Sequence, residues 1–254
     1  MTNNTIFKVC CAAIMVTWIA LPAGAAVFGG IDAGYVHDNN FIGAPVGYPP
    51  VSDTAQIYSA YVGGYKATDG GRGAWLGSVN VRVTRLQRYT SLDNDLFGGT
   101  IGYYHKLGVG SMLATIGGQD IRYGEAAEDF LLYFTRLRFK QGTARVWVTE
   151  NAEFDDSHGG QAPNAYRGYS VWGSLNGRAW SSGTLSLSLA HSDDRYNISA
   201  TATRITNVAT CALKQQLGDG VYARVSYSLE HVTIPGGQAF HANLFAAGVG
   251  MMFG

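Results

Sequence analysis

The sequence predicts a closed antiparallel transmembrane β-barrel of about twelve strands, preceded by a cleavable signal peptide. Three observations predict it. The N-terminus reads as an export signal, short segments of alternating hydrophobicity fill the remainder, and the connections alternate between short turns and longer loops. Composition agrees. Of 254 residues, 46% are hydrophobic but only 14% are charged, against roughly 25% charged in an ordinary soluble domain. Mean hydropathy is +0.00. Membrane strands that alternate apolar and polar residues produce this intermediate average.

The signal spans 1–26 and the barrel 27–254. Lys8 supplies a basic start, and Val9 to Leu21 form an apolar stretch. Pro22-Ala23-Gly24-Ala25-Ala26 follows, with small residues at Ala23 and Ala25 in the pattern of a cleavage site. Cleavage is expected after Ala25 or Ala26; an uncleaved anchor helix is the competing reading. Nothing downstream reaches the ~18 consecutive apolar residues of a membrane helix. A bilayer leaves no partner for unpaired backbone groups, so a mature chain in a membrane must close into a barrel.

Period two is the strand signal, because successive side chains point to opposite faces. Thr184-Leu185-Ser186-Leu187-Ser188-Leu189 shows it plainly. In the run from Trp75 to Thr84, Val79, Val81 and Val83 go one way, and Ser78, Asn80, Arg82 and Thr84 the other. Val221 to Leu229 repeats the pattern. Twelve segments result: 27–37, 54–66, 73–89, 95–106, 110–123, 129–140, 143–151, 165–180, 184–192, 197–213, 221–234 and 239–253. Each spans the ~9–11 residues that a tilted strand needs to cross a bilayer.

The connections test that count independently. With the chain starting in the periplasm, the even connections fall at 68–71, 107–109, 141–142, 181–183 and 215–220. All carry glycine and read as hairpin turns. The odd set includes the two longest stretches, 37–53 and 151–164. Short periplasmic turns with longer outer loops are the pattern of such barrels, and one missed strand would break it.

The chain ends Phe245-Ala246-Ala247-Gly248-Val249-Gly250-Met251-Met252-Phe253-Gly254, with an aromatic in the penultimate place. This resembles the C-terminal strand of bacterial outer-membrane proteins, porin-like barrels among them, although these usually end on the aromatic itself. The resemblance implies residence in the outer membrane and export through the periplasm. It also implies outer-membrane lipid, lipopolysaccharide and the barrel-assembly machinery as partners. No single family is assignable.

Strand parity sets Arg82, Arg136, Arg138, Arg145, Arg178 and Arg224 opposite the apolar faces, and hence into the lumen, with Lys140 near its periplasmic rim. A basic charge facing lipid at midplane costs ~2–4 kcal/mol. The acids Asp38, Asp93, Asp95, Glu125, Glu128, Asp129, Glu153, Asp155, Asp156, Asp193 and Asp194 fall in or beside the predicted outer loops; Asp32, Asp120 and Glu230 fall on strands. A row of guanidinium groups attracts carboxylates and phosphates and hands them on. It resembles small barrels that admit acidic oligosaccharides. A plugged barrel, with the arginines satisfied internally, is the equal alternative. Tyr35, Tyr65, Trp75, Tyr89, Tyr103, Tyr104, Tyr123, Tyr166, Trp180, Tyr196 and Phe253 are expected to form interfacial girdles.

Three functional readings stand. The first is a small passive channel or export pore whose basic lumen favours anionic solutes, oligosaccharides included. The second is a non-conducting structural or assembly barrel working through its outer loops. Gly34-Tyr35-Val36-His37-Asp38-Asn39-Asn40-Phe41 is loosely similar to exopolysaccharide-associated barrels. The third is a rim hydrolase acting on lipid or peptide, for which His191-Ser192-Asp193-Asp194 and Asp155-Asp156-Ser157-His158 are the candidate clusters. Adjacent strand residues face opposite ways, which argues against a His191–Ser192 dyad. No catalytic set, cofactor or metal site is predicted. The Gly-Gly pairs lack phosphate-loop spacing, Cys211 stands alone in the mature chain, and Asp38-Asn39-Asn40 offers too few oxygens for calcium. Charge and compartment give nucleic-acid binding no support.

Overall fold

A computed structural model describes residues 25–41, 43–44, 47–124, 129–158, 165–196, 203–234 and 238–254. Residues 1–24 of the expected signal segment and parts of five outer loops lie outside the described residues. Twelve strands form one closed antiparallel barrel with every neighbour in sequence order. They are β1 Ala26–Asp38, β2 Asp53–Thr68, β3 Gly73–Leu86, β4 Asn94–Lys106, β5 Gly110–Tyr123 and β6 Phe130–Gly142. The second half is β7 Val146–His158, β8 Tyr166–Trp180, β9 Gly183–Tyr196, β10 Thr203–Gln216, β11 Val221–Ile234 and β12 Gln238–Phe253. Among the described residues no helix is long and apolar enough to cross a membrane.

Closure falls between β1 and β12, where Gly29 pairs with Phe253 and Asp38 with Leu244. The Phe253 ring lies over Gly29 so closely that a Cβ there would collide with it. The penultimate aromatic thus packs on the seam. The start of β1, the end of β12 and the short turns share one end, which is therefore periplasmic.

Residues paired across strands face the same way, so the register assigns every side chain to a wall. Outward positions carry the exposed apolar residues Ile31, Phe97, Ile101, Ile116, Phe154, Leu187, Leu189, Val249 and Met251. Inward positions on β8–β12 are mostly small and hydroxylic: Ser170, Ser174, Ser186, Ser188, Thr210, Ser226 and Ser228. Apolar outside and polar inside is the arrangement a bilayer requires.

Glu150 departs from this pattern. It is exposed on the outward face of β7, paired with Phe139 and Gly173 and flanked by Val148 and Ala152. Glu150→Leu is expected to stabilise the barrel by about 1 kcal/mol, read by urea unfolding in lipid vesicles. A destabilised variant would show that the carboxylate has a partner in the membrane.

Three features correct the sequence reading. Strands β7 and β9 run on to His158 and Tyr196, so 152–158 and 193–196 are wall rather than loop. The turn after β6 lies at 143–145, held by Thr143 N donating to Val146 O at 2.7 Å. A bulge between Arg178 and Trp180 turns Trp180 outward over Gly183, a device that bulges commonly serve.

Candidate functional site: the lumen wall and its outer mouth

Arg136 and Arg138 stand on the inward face of β6. Arg136 donates to the Glu153 carboxylate of β7 through Nε at 2.6 Å and Nη2 at 2.5 Å. Its guanidinium also lies over the rings of Phe134 and Trp172, at 5.2 and 5.4 Å. Arg138 donates to Asn151 Oδ1 at 2.8 Å. Its partner is neutral, so its positive charge is not cancelled. Arg82 faces inward on β3, beside Ser59 and Leu96, and is exposed to the lumen. Arg224 faces inward on β11, 4.0 Å from Asp32. Arg178 is inward and exposed at the periplasmic end of β8.

Arg145 is the exception. It stands in the 143–145 turn, exposed at the barrel's end. Parity cannot place it because the strand begins only at Val146. Lys140 faces inward, with its ammonium 5.2 Å from the Trp147 ring.

The acids are not confined to the outer rim. Glu153, Asp155, Asp194 and Glu230 face inward, as does Asp32. Arg204, which the sequence reading did not single out, faces inward on β10 with Nη2 3.4 Å from Glu230. Its strand carries apolar residues on both faces, Val208 inward and Leu213 outward, which weakens the parity signal. Asp95, Asp120, Asp156 and Asp193 point outward near the strand tops, Asp93 lies in the turn before β4 with its Oδ1 accepting from Leu86 N, and arginines partner these acids. Arg85 is 2.7 Å from Asp95, Arg122 is 2.7 Å from Asp120, and Arg167 is 3.2 Å from Asp156. Of the inward acids, Asp155, Asp194 and Glu230 lie in the outer part of the lumen, with Arg204 among them, and Asp32 lies nearer the periplasmic end.

Near the periplasmic end, Asp32 accepts a hydrogen bond from the Tyr222 hydroxyl, and the Lys214 ammonium sits 3.8 Å from the Tyr222 ring. Small residues make room for these rings. A Cβ on Gly30 would meet Tyr61 at 2.9 Å, and one on Gly250 would meet Tyr222 at 2.6 Å.

Several expected girdle aromatics face the lumen instead. Tyr123, Tyr166 and Tyr196 line a cavity of about 460 Å³ at the outer mouth, together with Phe41 and Phe130. Tyr166 and Tyr196 pack at 5.6 Å, and Phe41 stacks on Tyr89 at 5.4 Å. Tyr35, Trp75, Tyr103, Trp180 and Phe253 face outward. Phe41 is held by its loop. Asn40 Nδ2 donates to the His241 and Ala44 carbonyls at 2.9 and 3.0 Å, and Asp38 Oδ1 accepts from Asn40 N at 2.8 Å. Asn40 Nδ2 on the His241 carbonyl and Asn39 Oδ1, which accepts from Asn243 N at 2.7 Å, thus fasten the first loop to β12.

The two candidate hydrolase clusters do not assemble. His191 faces outward and bonds Asn207, while Ser192 faces inward. His158 lies outside with Asp156 at 3.6 Å, while Ser157 is inward, fully buried, and accepts from Tyr166 N. Among the described residues, no group of three or more His, Cys, Asp or Glu is placed to hold a metal ion.

No protein-family model matches the chain, and no curated protein matches it in sequence. Solved structures do. The COG4313 outer membrane channel from Pseudomonas putida F1 superposes with a TM-score of 0.65 at 11% identity, covering 92% of this chain and 97% of that one. The NanC porin gives 0.55 at 10% identity over 88% and 98%. The KdgM porin, solved in complex with disordered oligogalacturonate, gives 0.54 at 13% identity over 89% and 99%. The fold is that of the porin-like outer-membrane β-barrels. The outward apolar band and the closed, strand-ordered wall agree with that class.

Proposed function

We propose that this protein is a small passive channel of the bacterial outer membrane, exported behind a signal peptide at 1–26, whose lumen favours anionic solutes. The observation that carries this reading is the inward guanidinium set of Arg82, Arg136, Arg138, Arg178 and Arg224, facing a wall of serines and threonines. Fixed positive charge on a water-filled wall raises the local concentration of anions, and small hydroxylic residues leave room for them. The aromatic mouth suits the apolar faces of sugar rings, and the arginines beneath suit carboxylates. Small acidic oligosaccharides are therefore the solutes that we assign. Lipopolysaccharide and outer-membrane lipid surround the wall, and the barrel-assembly machinery inserts it.

Swelling of liposomes carrying the refolded barrel tests this. An acidic disaccharide should enter several times faster than a neutral one of equal size. Absence of swelling with a folded barrel, or faster entry of the neutral sugar, would sink the proposal.

A further inference from the structure

The outer face of β9–β12 carries a polar feature that passage through the lumen does not use. One register row crosses four neighbouring strands as His191, Asn207, His231 and His241. All four point outward, like the exposed Leu189 and Leu229 of the row beneath. His191 Nδ1 donates to Asn207 Oδ1 at 2.9 Å. The Nδ1 atoms of His231 and His241 are 3.2 Å apart and their rings stack at 4.5 Å. The Thr233 hydroxyl lies 3.2 Å from His231 Nε2.

This wiring consumes acceptors inside the row. The Asn207 oxygen is taken by His191, which leaves its NH₂ group to donate outward. With Thr233 Oγ1 donating to His231 Nε2 and His231 Nδ1 donating to His241 Nδ1, His241 Nε2 carries the N–H; the opposite order makes it an acceptor. In the first order the row offers donors, Asn207 Nδ2 and His241 Nε2, and suits an anion.

Its height is also specific. Strand β9 continues to Tyr196 and β11 to Ile234, and the exposed leucines begin directly below. That is the outer-leaflet headgroup level. Below the row runs an outer-wall groove of about 650 Å³, floored by Gly173 and Ala209 and walled by Val171, Leu189 and Leu229. Glu150 borders the groove on the β7 side, away from His231 and His241, so an anion belongs at the imidazole end.

We infer that this strip docks a phosphate headgroup of lipopolysaccharide, with one acyl chain in the groove. The inference rests on the outer-membrane placement and not on the channel reading. Native mass spectrometry of the detergent-purified barrel tests it, with bisphosphorylated lipid A, dephosphorylated lipid A and phosphatidylglycerol as probes. Wild type should retain bisphosphorylated lipid A preferentially. His191→Leu, His231→Leu and His241→Leu together should lower that retention at least tenfold, with the heat-modifiable gel mobility of a folded barrel. Ala209→Phe, which fills the groove and leaves the row intact, should also lower it. Equal retention by wild type and both variants overturns the inference, as does equal retention of phosphatidylglycerol and lipid A by wild type.

Discussion

Replacing Arg136 and Arg138 together by serine is expected to reverse the ion preference of the lumen. The two arginines contribute differently. Arg136 is cancelled by Glu153, on which both of its nitrogens converge. Arg138 bonds only the neutral Asn151. Arg138→Ser alone therefore removes free positive charge. Arg136→Ser alone uncovers a carboxylate whose side chain is only 17% exposed. The double variant does both, and the local charge changes by two units in the same direction. Two charges 4 Å apart interact by about 1 kcal/mol in bulk water and about 4 kcal/mol at the effective dielectric of a protein surface. A wet lumen lies nearer the first figure, which is roughly fivefold in permeability ratio per charge. Planar-bilayer reversal potentials should move from anion toward cation preference in the order wild type, Arg138→Ser, double variant. Unchanged selectivity in the double variant would remove β6 from the solute path.

Asp53→Ala is expected to be the most damaging single change to stability, by about 3 kcal/mol. Asp53 opens β2 and is 3% exposed. Its Oδ1 accepts from the Thr54 and Arg88 backbone N–H groups at 2.6 and 3.1 Å, and Oδ2 accepts from Tyr89 N at 3.0 Å. One carboxylate thus organises the start of the β3–β4 loop, including the Tyr89 against which Phe41 stacks. Hydrogen bonds to a charged group contribute about 1.5–3 kcal/mol, and each buried donor left without a partner costs about 1–3 kcal/mol. Asp53→Asn keeps one acceptor oxygen and should lose about half as much. Urea unfolding measures the difference, and hydrogen exchange should show lost protection at Arg88 and Tyr89. A loss below 1 kcal/mol in Asp53→Ala would show that water replaces the carboxylate there.

The wall of the barrel was legible because a bilayer enforces alternation along each strand, and runs such as 184–189 and 221–229 display it. The tops of β7 and β9 were not legible, although alternation persists there. Ala152 and Phe154 face out while Glu153 and Asp155 face in. Above the bilayer an outward Asp156 or Asp193 carries no penalty, so acids that resemble loop residues sit on strand. Aromatics were ambiguous for a related reason. A tyrosine near a strand end suits a girdle or a mouth equally, and only register separates Tyr103 from Tyr123. Trp180 was re-aimed by a bulge that leaves no period-two trace. The histidine row was invisible in one dimension, since its members lie on strands far apart in sequence and meet only through pairing.

Strand parity was the basis for the arginine ladder, and on regular flanks it gives the same inward facing as the pairing register does for Arg82, Arg136, Arg138, Arg178 and Arg224. It failed at Arg145, one residue short of the strand. It passed over Arg204, whose strand mixes apolar residues on both faces. The acids Asp155, Asp194 and Glu230 complicate a purely basic lumen. They confine the free positive charge to the middle and periplasmic parts, where Arg82, Arg138 and Arg178 lie.

The zero-current potential of the wild-type barrel in a planar bilayer, under a tenfold potassium chloride gradient, tests the central claim most directly. An uncompensated arginine set predicts a potential of the sign set by chloride, shrinking as salt rises and screening shortens. A potential of the sign set by potassium, or a folded barrel that carries no current, would contradict it.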